Sequence, residues 1–265
     1  MKRFATVLST VVVVLATAAP GHAIVFGQLD GNRHPQVGAL IADPPDDDPD
    51  EGPGIICSGT MIAPDVFLTA GHCTAFLESV GVAAGDVWVT FDPTFDDASP
   101  LIGGTYHTHP EFGFQGPGGR SDPHDLAVIV LDGPVMGVTP ARLPTLGLLD
   151  SLSLRTEWFT AVGYGTVRED KRRGPHSLFF DGQRRFASQS FRSLTKSWLN
   201  LSMNPSTGSG GTCFGDSGGP HFLRDSLLIV SITVTGDRFC RASDVTYRLD
   251  TASARAFLDD FVAVP

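Results

Sequence analysis

Short apolar runs separated by Gly, Pro and Asp recur along most of this chain, and they constrain its fold more than any other feature. Many of the runs are rich in Val, Ile, Thr and Phe. Short runs of this kind, bounded by turn residues, are typical of strands in an all-β sandwich or barrel. The predicted strands cover residues 37–42, 55–62, 66–69, 87–91, 126–131, 158–162, 198–203, 227–234 and 245–249.

The C-terminal segment is the one clear helix in the sequence. Thr251 can cap it, and apolar residues then follow helical spacing at Ala254, Phe257, Leu258, Phe261 and Val262. A break near residues 143–149 divides the chain into halves of similar size. We therefore expect two β units, residues 24–145 and residues 146–265, with a helix at the end of the second.

The first 23 residues are predicted to be a secretory signal peptide. A positive start, Met1-Lys2-Arg3, precedes an apolar stretch at 4–19 and small residues at Gly21 and Ala23. The apolar stretch is short for a membrane anchor, which is the alternative interpretation. We expect cleavage after Ala23 and an extracellular protein with no membrane anchor. A cut after Ala18 would instead leave residues 19–23 as a short pro-segment.

The charge balance is acidic, and this excludes some partners. The net charge is −10, with 19 basic and 29 acidic residues. A polyanion would be repelled, so nucleic acid is not an expected partner. Residues 43–51 hold six of the acids and three prolines. This segment is predicted to be a solvated surface insertion. A calcium loop is the alternative, although the spacing does not match an EF-hand.

Three motifs carry candidate catalytic residues. His72 lies in Gly-His-Cys at 71–73, Asp125 directly precedes an apolar run, and Ser217 lies in Gly-Asp-Ser-Gly-Gly-Pro at 215–220. A serine is a poor nucleophile until an adjacent base takes its proton, and that base must itself be oriented by a third group. Histidine, aspartate and serine in this chain order are typical of one class of proteases.

In these motifs the sequence resembles the chymotrypsin/trypsin-like serine proteases, and particularly their secreted bacterial members. Ile-Val-Phe-Gly at 24–27 is similar to the mature start of that family, and Gly-Tyr-Gly at 163–165 is similar to its Gly-Trp-Gly turn. His109-Pro110 and the C-terminal helix also fit. The resemblance implies an all-β fold of two six-stranded antiparallel β-barrels with a C-terminal helix.

The resemblance also implies the role of each candidate residue. Ser217 would be the nucleophile, His72 the general base and then the general acid, and Asp125 the group that orients the imidazole. Asp122 is a nearby competitor for the aspartate role, but it does not directly precede the apolar run. The backbone N–H groups of Gly215 and Ser217 would form the oxyanion hole.

The four cysteines fit the same family. They flank the histidine and serine motifs, and the family pairs Cys57 with Cys73 and Cys213 with Cys240. A metal site is the alternative, but no Cys-x-x-Cys pair is present and export implies an oxidising compartment.

Three histidines raise the possibility of zinc. They are His107, His109 and His124, and their spacing matches no standard zinc site. His109 already has a counterpart in the family. We therefore expect neither a metal nor a cofactor.

Activation is predicted from the N-terminus. In the family, a new amine on the residue corresponding to Ile24 pairs with the residue corresponding to Asp216, which orders the oxyanion hole. Cleavage after Ala23 would expose Ile24 directly. Export itself would then activate the enzyme without a propeptide.

Substrate preference is predicted from the family's specificity pocket. Gly211, six residues before the serine, would form the floor of the pocket, where an aspartate would select Lys or Arg. The other predicted lining residues are Thr212, Ser231, Thr233 and Val245. These residues indicate a neutral pocket that prefers small aliphatic side chains of the substrate. Larger apolar side chains would be the second preference. Asp237 or Asp244 would restore a basic preference if the alignment slips in the long segment 231–240.

The sequence thus predicts a secreted, monomeric serine endopeptidase that acts on protein or peptide substrates and can meet protein inhibitors. One alternative is a non-catalytic binding protein on the same fold, which loss of a triad member would indicate. The other is an α/β-hydrolase esterase, because residues 215–219 match Gly-x-Ser-x-Gly literally. The order of the three residues and the β-rich pattern contradict this second alternative.

Overall fold

A computed structural model describes residues 24–45, 52–113, 121–168 and 177–265 of the chain. The predicted signal peptide and residues 46–51 of the acidic segment lie outside these ranges. Within them, none of the helices combines the length and the apolar composition needed to cross a bilayer.

The first half forms a closed antiparallel barrel of six strands. A short strand, β1 (Gln28–Leu29), precedes it. The six barrel strands are β2 (Val37–Ala42), β3 (Gly54–Ala63), β4 (Val66–Thr69), β5 (Val87–Thr90), β6 (Ile102–Thr108) and β7 (Ala127–Leu131). They close in the order β2-β3-β4-β7-β6-β5.

The second half forms another six-stranded antiparallel barrel. Its strands are β8 (Trp158–Gly163), β11 (Arg185–Leu194), β12 (Trp198–Ser202), β13 (Pro220–Leu223), β14 (Ile229–Gly236) and β15 (Ser243–Arg248), while β9 (Val167–Arg168) and β10 (Leu178–Phe179) form a separate pair. The order is β11-β12-β15-β14-β13-β8, and β8 closes the barrel by pairing with β11. The predicted pair of six-stranded barrels is therefore confirmed.

In the described ranges, three α-helices accompany the barrels: α1 (Gly71–Ser79), α2 (Leu148–Ser151) and α3 (Ala252–Leu258). Two short 3-10 turns cover Leu154–Thr156 and Pro205–Thr207. The predicted C-terminal helix is confirmed, and the Thr251 hydroxyl accepts the Ala254 backbone N–H at 3.2 Å. The helix packs back on the first half, where the ring of Phe257 lies 4.8 Å from that of His109.

Strand β11 is among the strands that the apolar pattern did not predict. Its inward positions carry Arg185, Ala187 and Gln189, all of them buried. Two of the three are polar, so the strand lacks the alternation of apolar and polar residues that marks a half-buried strand. Strand β6 was also missed, because Gly103 and Gly104 offer no apolar side chain at two of its positions.

The two barrels are joined by a buried arginine. Arg184 is fully buried, and its Nε donates to Oδ2 of Asp30 at 2.9 Å. Its Nη1 donates to the carbonyl oxygens of Val37 and Phe91, each at 2.8 Å, and to the hydroxyl of Tyr164 at 3.1 Å. Burial raises the pKa of Tyr164 to about 12. Because a buried guanidinium is costly without partners, this network fixes how the halves meet.

The first described residues attach to the second barrel. Strand β1 pairs with β11, and Val25 forms an isolated bridge with Gly211. The segment before β2, assigned from the sequence to the first β unit, thus hydrogen-bonds to the second barrel.

Candidate active site

His72 and Asp125 meet at the edge of the first barrel. His72 is the second residue of α1, and Asp125 lies two residues before β7 with its side chain fully buried. The Nδ1 of His72 lies 3.0 Å from Oδ2 of Asp125, and the backbone N–H of His72 donates to Oδ1 at 2.8 Å. A carboxylate accepts hydrogen bonds, so this contact favours the tautomer with the proton on Nδ1 and leaves Nε2 to exchange a proton.

Asp122, the competitor in the sequence, has different partners. Its Oδ1 accepts the hydroxyl of Tyr247 at 2.7 Å and the backbone N–H of His124 at 3.2 Å. Burial raises the pKa of Tyr247, and the bond to Asp122 raises it further. The two aspartates therefore contact different elements, and it is Asp125 that contacts His72.

The loop that carries Ser217 docks on Ser58 of the first barrel. The backbone N–H of Ser58 donates to the carbonyl of Ser217, and its hydroxyl donates to the carbonyl of Gly215, each at 2.9 Å. A Cβ on Gly218 would lie 2.2 Å from Oγ1 of Thr69, at the end of β4. Only glycine permits this approach. The serine loop thus abuts the strand end that leads into α1.

Asp216 is completely buried beside Ser217. Its two carboxylate oxygens accept the backbone N–H groups of Gly165 and Cys213, each at 2.8 Å. Burial and, to a smaller extent, the nearby Asp244 nevertheless raise the pKa of Asp216 to about 7. The two N–H donors and Arg185 oppose the increase. Two hydrogen bonds therefore do not offset the cost of a buried negative charge here.

Ile24 and Val25 already lie against the second barrel. Ile24 is 1% exposed and clusters with Ala161 and Ala187. The carbonyl of Val25 accepts the backbone N–H of Gly211 at 2.9 Å. The predicted mature start thus lies alongside the chain that leads to the serine.

Gly211 lies directly over Met203, a residue that the sequence analysis did not single out. A Cβ on Gly211 would lie 2.0 Å from Sδ of Met203, so no larger residue fits without movement. The hydroxyl of Thr212 lies 3.9 Å from the same sulfur, and the methyl group of Met203 would lie 3.7 Å from a Cβ on Gly236. Met203 is 1% exposed. In sequence it reads only as the apolar end of a predicted strand.

The predicted pocket walls occupy two different places. Ser231 is buried opposite Arg248, and its Oγ accepts the hydroxyl of Thr246 at 2.8 Å. Thr233 is buried too and lies opposite Thr246. A register shift in β14 then sets Thr235, rather than Thr233, opposite Val245. Thr235 and Val245 are both partly exposed.

The two acids that could have made the pocket basic have other partners. Oδ2 of Asp244 lies 3.0 Å from Nε2 of His221 and accepts Nε2 of Gln189 at 2.9 Å, while its Oδ1 has no hydrogen-bond partner in the part of the chain that the structure describes. The carboxylate of Asp237 accepts backbone N–H groups from Phe239 and from residues 241–243. These bonds hold the pKa of Asp237 below its usual value against the opposing effect of burial.

Both disulfides implied by the resemblance are formed. Cys57 bonds to Cys73, and Cys213 bonds to Cys240. A ring nitrogen of His72 lies within 4.8 Å of the sulfur atoms of Cys57 and Cys73. Because these sulfur atoms are bonded to each other, they offer no thiolate to a metal ion.

The three histidines considered for zinc have other contacts. The rings of His109 and His124 stack with their centroids 4.6 Å apart, and burial together with His124 lowers the pKa of His109. Nδ1 of His124 lies 3.2 Å from the carbonyl of Glu111. The ring of His107 lies 5.3 Å from that of Phe261, just beyond α3.

Comparison with known proteins identifies the family. A family model described as Trypsin matches residues 46–253, which is most of the chain. The solved structure titled "HL collagenase structure at 1.7A resolution" matches with a TM-score of 0.64 and 16% identity, over 89% of this chain and 97% of that chain. At this identity the likeness concerns the fold. The family match shows that the chain belongs to the trypsin family and is a serine endopeptidase.

Proposed function

We propose that this endopeptidase is secreted and that it cleaves peptide bonds through an acyl-enzyme formed on Ser217, with His72 as the base and Asp125 as its orienting group. The proposal rests above all on one observation. Asp125 is fully buried and contacts both the Nδ1 and the backbone N–H of His72, at 3.0 and 2.8 Å. Family members act on proteins or peptides, so a peptide bond is the expected substrate.

In the first half of the proposed reaction, the Oγ of Ser217 attacks the substrate carbonyl carbon while Nε2 of His72 takes the hydroxyl proton. The carbonyl oxygen becomes an oxyanion that accepts the backbone N–H groups of Gly215 and Ser217. Such donors act on charge that develops only in the transition state. His72 then gives its proton to the leaving amine, and the acyl group remains on Ser217.

In the second half, a water molecule takes the place of the amine. His72 removes one proton from the water as its oxygen attacks the acyl carbon. The resulting tetrahedral species collapses, His72 returns the proton to Oγ of Ser217, and the carboxylic acid leaves. The chain's own groups supply every proton transfer, so the reaction needs no cofactor.

We propose a neutral specificity pocket that favours small aliphatic side chains. Support comes from Gly211, which carries no charge, and from the thioether of Met203 directly beneath it. Asp237 is committed to backbone N–H groups, and Asp244 to His221 and Gln189. A preference for Lys or Arg would mean that the unpaired Oδ1 of Asp244 reaches the substrate.

We further propose activation by the amine of Ile24, released after Ala23 during export. The resulting ammonium would pair with the carboxylate of Asp216. Two observations support this. Ile24 is already buried against the second barrel, and Asp216 has a raised pKa of about 7, as expected for a buried carboxylate whose charge the nearby Arg185 does not offset. The two disulfides are consistent with an oxidising compartment.

A peptide library tests the proposal. The purified secreted protein and its Ser217→Ala variant are incubated with the library, and mass spectrometry gives the cut sites and the mature N-terminus. Cuts after small aliphatic residues that the variant lacks support the proposed reaction and pocket. Equal cleavage by both proteins would overturn the assigned nucleophile. Binding of peptides without cleavage would favour a non-catalytic role, and a start at Ala19 in the active protein would overturn the proposed cleavage point.

A further inference from the structure

A concave site on the second barrel gathers positive charge on an acidic protein. The cavity has a volume of about 990 Å³, and four arginines line it: Arg168, Arg192, Arg238 and Arg241. The whole chain carries a net charge of −10. We refer to this cavity as the arginine pocket. The residues between Arg168 and Ser177 lie outside the described part of the chain and are left out of the site.

The pocket arginines differ in their partners from several arginines elsewhere in the protein. Arg184, Arg224 and Arg248 each form an ion pair with a carboxylate. Among the described residues, no ion pair joins any of the four pocket arginines to a carboxylate. Nη1 of Arg168 is buried and has no hydrogen-bond partner there. A buried guanidinium N–H without an acceptor is costly, and the negative charge of an anion beside Arg168 in the pocket would reduce that cost.

Mutual repulsion adds to this cost. Burial lowers the pKa of Arg168, and the neighbouring Arg241 lowers it further. Among the described lining residues Asp237 is the one acid; its charge opposes the decrease at Arg168, and its carboxylate accepts backbone N–H groups of its own loop. The pocket therefore keeps an excess of positive charge.

The same bonds make the pocket rigid. Asp237 holds the backbone of residues 239–243, and the Cys213–Cys240 disulfide ties this loop to the segment that carries Ser217. Arg238 and Arg241 thus lie on a loop that is held in place by hydrogen bonds and a disulfide. This reduces the entropy that is lost when a ligand binds. The disulfide also links the pocket loop to the chain segment that leads to the nucleophile.

The pocket also has an apolar face, formed in part by Leu178 and Phe239. Phe239 is 70% exposed and Leu178 is 36% exposed. Large apolar side chains that stay this exposed beside arginines are typical of sites that bind another chain. A sulfated glycan would use the arginines and leave these side chains unused. A peptide that mixes acidic and apolar residues would use both.

We propose that the arginine pocket is an auxiliary binding site for acidic segments of protein substrates. Carboxylates of the segment pair with the guanidinium groups, whose forked N–H donors match a carboxylate. Apolar side chains of the segment pack on Leu178 and Phe239. The pocket would select such substrates even though the negative charge of the protein as a whole repels them. This inference rests on the proposed endopeptidase function, because it assigns part of the substrate.

Binding without cleavage tests the pocket directly. The Ser217→Ala protein is titrated with a short fluorescent peptide of Glu, Asp and Leu, and with a matched peptide in which Gln and Asn replace the acids. The acidic peptide should bind more tightly, and added salt should weaken it. The Arg192→Glu/Arg241→Glu variant should raise its Kd by about tenfold or more. Arg155→Glu, the same charge change at an exposed site on a 3-10 turn, should alter it less than about twofold.

Two results would overturn the assignment. One is an equal Kd for the double arginine variant and for Arg155→Glu. The other is a sulfated oligosaccharide that binds through Arg192 and Arg241 while the acidic peptide does not. Both substituted arginines are exposed, so the double variant is expected to fold. Near-UV circular dichroism checks that it does.

Kinetics separate this inference from the proposed function. The active enzyme is given one cleavable sequence joined to either the acidic or the neutral peptide. We expect a higher kcat/KM for the acidic substrate, and the double arginine variant should lose this advantage while cleaving the neutral substrate normally. Equal cleavage of both substrates by the native enzyme would overturn the assignment of the arginine pocket and leave the proposed function intact. If neither substrate is cleaved while the acidic peptide still binds, the proposed function would be overturned and the assignment of the arginine pocket would stand.

Discussion

Each barrel contributes a buried aspartate to the candidate site, and the two aspartates differ in their partners. On the histidine side, Asp125 is fully buried and contacts His72 through two atoms of that residue. On the serine side, Asp216 is just as buried, but its oxygens meet only backbone N–H groups among its hydrogen bonds in the described chain, and its pKa is raised to about 7. Asp125 has His72 as a side-chain partner, whereas the described residues give the carboxylate of Asp216 no side-chain hydrogen bond, and it is costly to ionise.

Under the proposed activation, this difference places the control of the enzyme on the serine side. The histidine side is complete in the chain before any cleavage, because folding alone brings its residues together. The serine side holds a carboxylate that is costly to ionise, and under the proposed activation the missing charge appears only when the bond before Ile24 is cut.

The largest effect is expected from the histidine side. Asp125→Asn should lower kcat by about 10⁴-fold, because an amide at this position no longer selects the tautomer with the proton on Nδ1 of His72. Steady-state kinetics on a peptide substrate measure the loss. The matched control is Asp122→Asn, which removes an acid that contacts Tyr247 instead. The control should stay within a few-fold of the native enzyme, and a similar loss in both variants would contradict the assignment of Asp125.

The second prediction concerns the amine of Ile24. A form that keeps residues 19–23 should have a kcat about 10²–10³-fold lower, because an unpaired Asp216 leaves the oxyanion donors out of position. Trimming to Ile24 should restore activity. The trimmed enzyme should then lose activity at alkaline pH, once the amine, whose ordinary pKa is about 8, loses its proton. Full activity of the extended form would refute the pairing.

The third prediction uses the raised pKa of Asp216. Between pH 3.8, the ordinary pKa of an aspartate, and about pH 7, the folded uncleaved chain holds a proton that the unfolded chain has released. Its free energy of unfolding should therefore fall as the pH rises through this range, by up to about 4 kcal/mol. Urea unfolding of the extended Ser217→Ala protein at several pH values measures the slope.

The control for this prediction adds Asp216→Asn to the same protein. The amide does not titrate, so the difference in unfolding free energy between the two proteins isolates the contribution of Asp216. In the trimmed protein the difference should shrink or change sign near pH 7, because the ammonium then stabilises the carboxylate. A difference that does not vary with pH would mean that Asp216 is ionised throughout.

The family resemblance implies the two barrels. The apolar pattern predicts an all-β fold because most of the strands carry apolar inward faces, as β2 and β4 do with every residue buried. It fails at β11, whose inward face holds Arg185 and Gln189. The catalytic candidates can be found from the sequence because each of them lies in a short motif of neighbouring residues. The contact between Arg184 and Asp30 spans 154 positions, and nothing near either residue predicts it. The contact of Met203 with Gly211 is not predicted either, because a packing contact between distant residues produces no pattern in the sequence.

The smallest effect concerns the two disulfides, one on each side of the site. Cys57–Cys73 closes a loop of 16 residues and Cys213–Cys240 one of 27. On loop-closure entropy, replacing either pair with Ala should cost about 3 kcal/mol, with the second pair costing about 0.5 kcal/mol more. Guanidinium unfolding of both variants in the Ser217→Ala background, which prevents self-cleavage, measures the difference. Near-equal costs would mean that the sides differ in charge rather than in crosslinking. A much larger cost for Cys213–Cys240 would mean that this disulfide also holds Asp216 and the loop of Arg238 in place. The serine side would then be limited by backbone order as well as by the cost of ionising Asp216.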